Sequence, residues 1–122
     1  MILLDTNALI WLHQHHRRAR TLEKQATLYA SPASLLELQI LVESGRMRLR
    51  GDTTVEQLVG DDRWLLDDPP SADWFSRAVE IGWTHDPFDR LLVAHAELRG
   101  WRLATSDSLL ASRLGQARSL EL

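Results

Sequence analysis

Short apolar runs that stop at a helix-starting residue recur along this chain and constrain its fold more than any other feature. Ile2-Leu3-Leu4 stops at Asp5-Thr6-Asn7, Leu28-Tyr29-Ala30 at Ser31-Pro32, and Arg102-Leu103-Ala104-Thr105 at Ser106-Asp107. Each run has the length of a buried strand. Each stop offers a side-chain oxygen that can cap a helix, and Pro32 suits a first helical position. Strands that alternate with helices in this way build a parallel sheet covered on both faces. The expectation is an α/β domain over residues 1–122 with four or five short strands and the first strand central.

The elements between these anchors read as follows. Ala8 to Leu12 continues as a helix that frays at His13-Gln14-His15-His16, and Arg18 to Thr27 reads as a second, more polar helix. The helix begun at Ser31-Pro32 runs to about Ser44 and stops at Gly45. Thr53 or Thr54 caps a helix ending at Val59, and Arg63 to Leu66 is a weak strand. Ser71 to Ile81 is helical, with Trp74, Phe75, Ala78, Val79 and Ile81 at helical spacing. Asp86-Pro87 opens a helix that ends at Gly100, Asp107 caps a short one, and Ala117 to Leu122 reads as a last strand. No internal repeat, low-complexity tract or linker divides the chain.

Composition narrows the function. The chain has no cysteine, which excludes disulfides, thiolate zinc sites and cysteine nucleophiles. No apolar run approaches the roughly 20 residues of a membrane helix. Asp5 interrupts the apolar stretch that a signal peptide requires, so the expectation is a soluble, cytoplasmic protein with no membrane partner. The net charge is −3, and 13 of the 14 bases are arginine, with Lys24 the only lysine.

In parallel sheets ligands bind beyond the carboxyl ends of the strands. Asp5 and Asp107 both follow strands there, although either can serve simply as an N-cap. Glu37 lies among Leu35, Leu36, Leu38, Ile40, Leu41 and Val42, so its carboxylate must reach the surface or find a partner. In Asp86-Pro87-Phe88-Asp89-Arg90, Asp86 is the cap and Asp89 the third helical position, where the helix dipole favours an acid. Four acids on one rim repel, so their pKa values rise or a cation binds. Hard divalent ions prefer such oxygen ligands, activate water and offset charge on a phosphodiester under in-line attack. Setting these four aside leaves 13 acids against 14 bases, a balance compatible with an anionic polymer. Arg17, Arg18 and Arg20, with Arg46, Arg48 and Arg50, are candidate phosphate contacts or a solvated polar face.

Leu4-Asp5-Thr6-Asn7, Glu37 after Ser31-Pro32-Ala33-Ser34, the stretch from His85 through Asp86-Pro87-Phe88-Asp89-Arg90 to Ala96, and Leu103-Ala104-Thr105-Ser106-Asp107 together resemble the PIN-domain ribonucleases. Within these the chain is most similar to the VapC-type toxins of bacterial toxin–antitoxin pairs. The resemblance covers nearly the whole chain and is thinnest from about Gly45 to Ser71. It implies a Mg²⁺- or Mn²⁺-dependent endoribonuclease whose acidic quartet is Asp5, Glu37, Asp89 and Asp107. Asp5 and Asp89 are then the chief metal ligands, and Glu37 and Asp107 complete the set directly or through water. Thr6, Asn7, Thr105 and Ser106 supply hydrogen bonds behind them, and Asp86 caps the helix. The resemblance further implies an RNA substrate, a homodimer, and neutralisation by a small VapB-like antitoxin whose arginine pairs with the acids.

Other residues carry weaker signals. His13, His15 and His16 lack regular ligand spacing and read as a solvated helix end; His95 reads as a core or boundary histidine; His85 can reach RNA. Trp11, Trp64, Trp74, Trp83 and Trp101 read as core or dimer-interface residues, one of which could stack on a base. Phosphoryl transfer through an aspartyl-phosphate fits poorly. Asp5 has no acidic neighbour, position 7 is Asn7, Lys24 comes too early for a late lysine, and no phosphate-binding glycine loop exists. The remaining alternative is a catalytically silent PIN-like module that binds RNA or protein.

Overall fold

The computed structural model describes residues 1–24 and 27–122. Five strands form one sheet: β1 (Ile2–Leu4), β2 (Leu28–Ala30), β3 (Leu65–Leu66), β4 (Arg102–Thr105) and β5 (Ser119–Glu121). Their spatial order is β3-β2-β1-β4-β5, every pairing is parallel, and β1 is central as the sequence predicts. Among the described residues six α-helices accompany them: α1 (Thr6–His13), α2 (Pro32–Glu43), α3 (Val55–Val59), α4 (Ser71–Val79), α5 (Pro87–Arg99) and α6 (Ser108–Leu114).

Alternation along the strands sorts the core into two layers. Ile2, Leu4, Leu28, Ala30 and Ala104 face α1, α2 and α3 and pack with Leu9, Leu12, Leu38 and Leu58. Leu3, Tyr29 and Leu103 face the other way, onto Leu92, Val93 and Ala96 of α5 and Leu110 and Leu114 of α6. Helices therefore cover both faces. Helix α4 sits outside α5, with Trp74 and Ala78 against Ala94.

The predicted caps hold the helices. Asp5 accepts from the Ala8 amide at 2.7 Å, and Ser31 from Ala33 at 3.2 Å. Thr54 and Gln57 form a reciprocal capping box. Helix α5 ends at Gly100, whose φ of 69° is left-handed and favours glycine; this turn feeds the chain into β4.

Several sequence expectations are corrected. The stretch 18–27 is not one helix: two 3₁₀ turns occupy Arg17–Ala19 and Leu22–Lys24, and the part of that expectation on Gln25 and Ala26 lies outside the described residues. The weak strand at 63–66 shrinks to Leu65–Leu66, because Arg63 is engaged by Asp61 and the Leu12 carbonyl and Trp64 turns into the core. Helix α4 stops at Val79 rather than Ile81. Phe75 and Val79 are 54% and 75% exposed, so only Trp74 and Ala78 of that helix's apolar positions are buried.

Candidate active site

Every strand points its carboxyl end at the same rim, and α1, α2 and α6 start there directly from β1, β2 and β4. The Asp5 amide donates to the Ala104 carbonyl at 3.0 Å, which carries the β1–β4 ladder one residue past β1. Asp5 and Asp107 are thereby set on adjacent strand exits. Both also cap: Asp107 Oδ1 accepts from Leu109 at 2.9 Å and Leu110 at 3.1 Å. Capping and facing a cleft, alternatives in the sequence, are here compatible roles of one side chain. Glu37 enters from α2 and Asp89 from the first turn of α5.

The four carboxylates line a single cleft of about 270 Å³, shared with Thr6, Asn7 and Ser106 and walled by Ile10, Leu41 and Leu92. Thr6 anchors one side. Its Oγ1 donates to Glu37 Oε1 and lies 3.0 Å from Ser34 Oγ. Asn7 Nδ2 donates to Ser106 Oγ at 3.0 Å and ties the β1 exit to the β4 exit. The Thr105 hydroxyl accepts from the Asp107 amide at 3.0 Å. Asp86 lies outside this lining. It is exposed, and its Oδ1 caps α5 by accepting from Phe88 at 2.8 Å and Asp89 at 3.1 Å.

Crowding of acids sets the electrostatics. The Asp89 carboxyl is pushed up to about 7, first by burial and then by Asp86, Asp107, Glu37 and Asp5. Burial pushes Asp5 up to about 6, with Thr105 and the Ala8 amide holding it down and Glu37 and Asp107 adding to the rise. Burial also raises Glu37, opposed by the Thr6 hydroxyl.

Comparison with known proteins identifies this arrangement. The family model of the PIN domain matches residues 2–113. The chain belongs to the PIN-domain family. No curated protein sequence matches it. Among solved structures, this PIN domain is similar to a toxin–antitoxin complex from Klebsiella pneumoniae, at 19% identity and a TM-score of 0.72, with all of both chains covered. It is similar to VapBC2 from Rickettsia felis bound to a DNA fragment from their promoter, at 20% identity and a TM-score of 0.64, covering 99% of this chain and 98% of the other. It is also similar to FitAB bound to the IR36 DNA fragment, at 23% identity and a TM-score of 0.54, covering 92% and 91%. At these identities the likeness is one of fold.

The PIN-domain cleft suits a hard divalent ion in donor chemistry and in charge. Its ionisable lining is carboxylate alone, without sulfur or imidazole, and a cation would offset the repulsion that raises Asp5 and Asp89. The side chains do not already close on a centre: among the described residues no three acids or histidines are gathered tightly enough to hold an ion.

The other sequence candidates lie elsewhere. Helices α1 and α2 start at the acidic rim and run away from it, about 12 and 18 Å at 1.5 Å per residue. Arg17, Arg18 and Arg20, and Arg46, Arg48 and Arg50, follow those far ends. Arg50 donates to the Gln14 carbonyl at 3.3 Å, and Arg18 lies over Trp11 and donates to the Leu122 carbonyl at 2.7 Å. Trp64 and Trp74 are buried, and Trp11, Trp83 and Trp101 are half-buried. His85 is exposed beside Asp86. His95 is fully buried, as a core histidine. Sequence reading missed Ser34, which carries no signal beyond its place one turn into α2, and Asp67, which follows β3 at the same rim.

Proposed function

We propose that this PIN domain, spanning 1–122, is a Mg²⁺- or Mn²⁺-dependent endoribonuclease and the cytoplasmic toxin of a type II toxin–antitoxin pair. The observation that carries the reading is the convergence of Asp5, Glu37, Asp89 and Asp107 from four separate elements on one cleft, with Asp89 pushed up to about 7. Asp5 and Asp89 are the chief ligands in this reading, with Glu37 and Asp107 completing the set. A bound ion would supply an acidified water and offset charge on the phosphodiester.

The chain's own residues do the positioning. Asp5 and Asp107 are held by backbone amides, so neither needs to be ordered when the ion and the RNA arrive. Thr6 holds Glu37 by donating to Oε1, which leaves Oε2 as the acceptor for a water proton. Asn7 and Ser106 hold the two strand exits at a fixed separation. Asp86 keeps the first turn of α5 wound, and thereby places Asp89.

The partners in this reading are RNA, a second copy of the chain and a small VapB-like antitoxin. An antitoxin arginine that pairs with the acids would displace the ion. The relatives that are toxin–antitoxin complexes support it by fold. The open spacing of the carboxylates favours one alternative, a catalytically silent module that binds RNA or protein. Incubating the purified protein with a structured RNA in Mg²⁺, in Mn²⁺ and in chelator separates the two. Cleavage that requires the ion supports the nuclease; ion-independent RNA binding without cleavage supports the module.

A further inference from the structure

Behind the cleft, a second polar cluster is buried where the proposed chemistry does not use it. His95, on α5, is 0% exposed and has both ring nitrogens engaged. Nδ1 lies 2.9 Å from Ser31 Oγ, and Nε2 lies 2.7 Å from Asp67 Oδ2. Arg99 grips the same carboxylate at 2.8 Å. The Asp67 amide donates to the Ala30 carbonyl at 3.0 Å, which seats Asp67 beside Ser31 at the strand rim. Trp74 packs an edge against the imidazole at 5.4 Å between centroids.

The network fixes the tautomer. Asp67 is an acceptor already paired with Arg99, so His95 Nε2 donates to it. Nδ1 then accepts the Ser31 hydroxyl proton, while Ser31 Oγ accepts from the Ala33 amide at 3.2 Å. Both ring nitrogens are thereby paired, and the serine hydroxyl both donates and accepts. The serine, histidine and aspartate here resemble a hydrolytic triad in composition, but Ser31 is 0% exposed and caps a helix, so no substrate reaches it.

What the network joins is informative. Ser31 caps α2 six residues before Glu37, and His95 stands on α5 six residues after Asp89. From Ser31 the contacts continue into the cleft. The Ser34 amide donates to the Ser31 carbonyl at 3.0 Å, Ser34 Oγ lies 3.0 Å from Thr6 Oγ1, and Thr6 donates to Glu37. Ser31, Ser34 and His95 are all fully buried, so the His95–Ser31 and Ser34–Thr6 bonds are not replaced by bonds to water if they break.

We propose that His95 is a positioning residue for the carboxylate cleft: through Ser31 and Asp67 it clamps the helix bearing Glu37 to the helix bearing Asp89. The proposal rests on the metal-site reading only for the consequence at the ion, since the clamp itself is a property of the metal-free fold.

His95→Gln retains an acceptor for Ser31 and a donor for Asp67, whereas His95→Leu removes both. Backbone amide shifts of Thr6, Ser34 and Glu37 in the metal-free protein, compared with Leu110 and Leu114 of α6 as controls, read the clamp. The expected result is that His95→Leu moves the cleft amides and spares the controls, while His95→Gln leaves both sets in place. His95 lies in the core, so Asp67→Ala and Asp67→Asn form a second pair at the half-buried rim that keeps the test independent of core folding: the alanine variant moves the cleft amides and the asparagine variant, which keeps an acceptor for Nε2, does so less. Mn²⁺ titration of the same variants adds the consequence, a dissociation constant raised about three- to tenfold in His95→Leu and recovered in His95→Gln. Cleft amides that stay put in both folded His95→Leu and Asp67→Ala overturn the proposal. A wild-type protein that binds no Mn²⁺ overturns the metal-site reading instead, and the amide shifts still decide the clamp.

Discussion

The Thr6 hydroxyl donates to Glu37 across 31 positions of sequence, joining the first residue of α1 to the middle of α2 inside the acidic cleft. The same oxygen meets Ser34, and Thr6 is buried. Thr6→Val therefore strands Ser34 Oγ and removes the one donor opposing the rise of the Glu37 carboxyl. The expected cost is about 1–2 kcal/mol in denaturant unfolding, with Thr6→Ser retaining most of the stability. Equal midpoints for Thr6→Val and wild type would show that the hydroxyl does not hold the two helices together.

Asp89 and Asp5 titrate high, at about 7 and about 6 against an ordinary 3.8. The folded protein keeps protons there that the unfolded chain gives up, so the associated stability is full at low pH and is lost as pH rises through 6 and 7. Asp89→Asn removes its share of that loss. In metal-free protein the variant should gain on wild type as pH rises from about 5 to about 8, reaching on the order of 1 kcal/mol after discounting for its half-exposed site. The difference between the two proteins isolates Asp89 from buried His95, whose lowered pKa acts with the opposite sign as pH falls below 6.5. A difference that is constant across this range in urea unfolding would remove Asp89 from the repelling cluster.

Helix α4 separates burial from pattern. Trp74 is 5% exposed and its Nε1 donates to the Leu91 carbonyl at 2.7 Å, while Phe75 and Val79 face outward. Trp74→Ala should cost about 3–5 kcal/mol, and Phe75→Ser and Val79→Ser should each stay within about 0.5 kcal/mol in unfolding of the monomeric chain. Comparable losses at Trp74 and Phe75 would mean that α4 packs through a different face.

Strands β1, β2 and β4 were legible because they are short, mainly apolar and terminated by capping residues, as at Leu4-Asp5 and Thr105-Ser106-Asp107. Topology put Asp5 and Asp107 on one rim and let Asp89 reach it, whereas Glu37 joined them only through the resemblance to the PIN-domain ribonucleases. What stayed hidden depends on pairing across the fold. Nothing local marks Thr6 as the partner of Glu37, or Asp67 as the acceptor for His95, since these pairs are 31 and 28 residues apart. The polar stretch after α1 misled for a different reason. Its Arg, Ala, Leu, Glu and Lys residues favour a helix, yet the fold uses Ala19 and Leu22 as two separate plugs in the core and breaks the stretch into 3₁₀ turns. Helical spacing marked Trp74, Phe75, Ala78, Val79 and Ile81, but α4 ends at Val79, and of its four only Trp74 and Ala78 found a surface to bury against, while Ile81 is buried beyond the helix end.

The central claim is that the cleft is a metal-dependent ribonuclease centre, and paired isosteric variants test it most directly. Asparagine caps a helix about as well as aspartate, so Asp5→Asn and Asp86→Asn both leave the helix caps in place and each removes one charge. Cleavage of a structured RNA in Mg²⁺ or Mn²⁺ is measured for each variant beside Asp89→Asn and wild type. The account predicts that Asp5→Asn and Asp89→Asn are folded and lose ion-dependent cleavage by about a hundredfold or more, and that Asp86→Asn cuts close to wild type. Normal cutting by Asp5→Asn, or a dead Asp86→Asn beside an active Asp89→Asn, would contradict it.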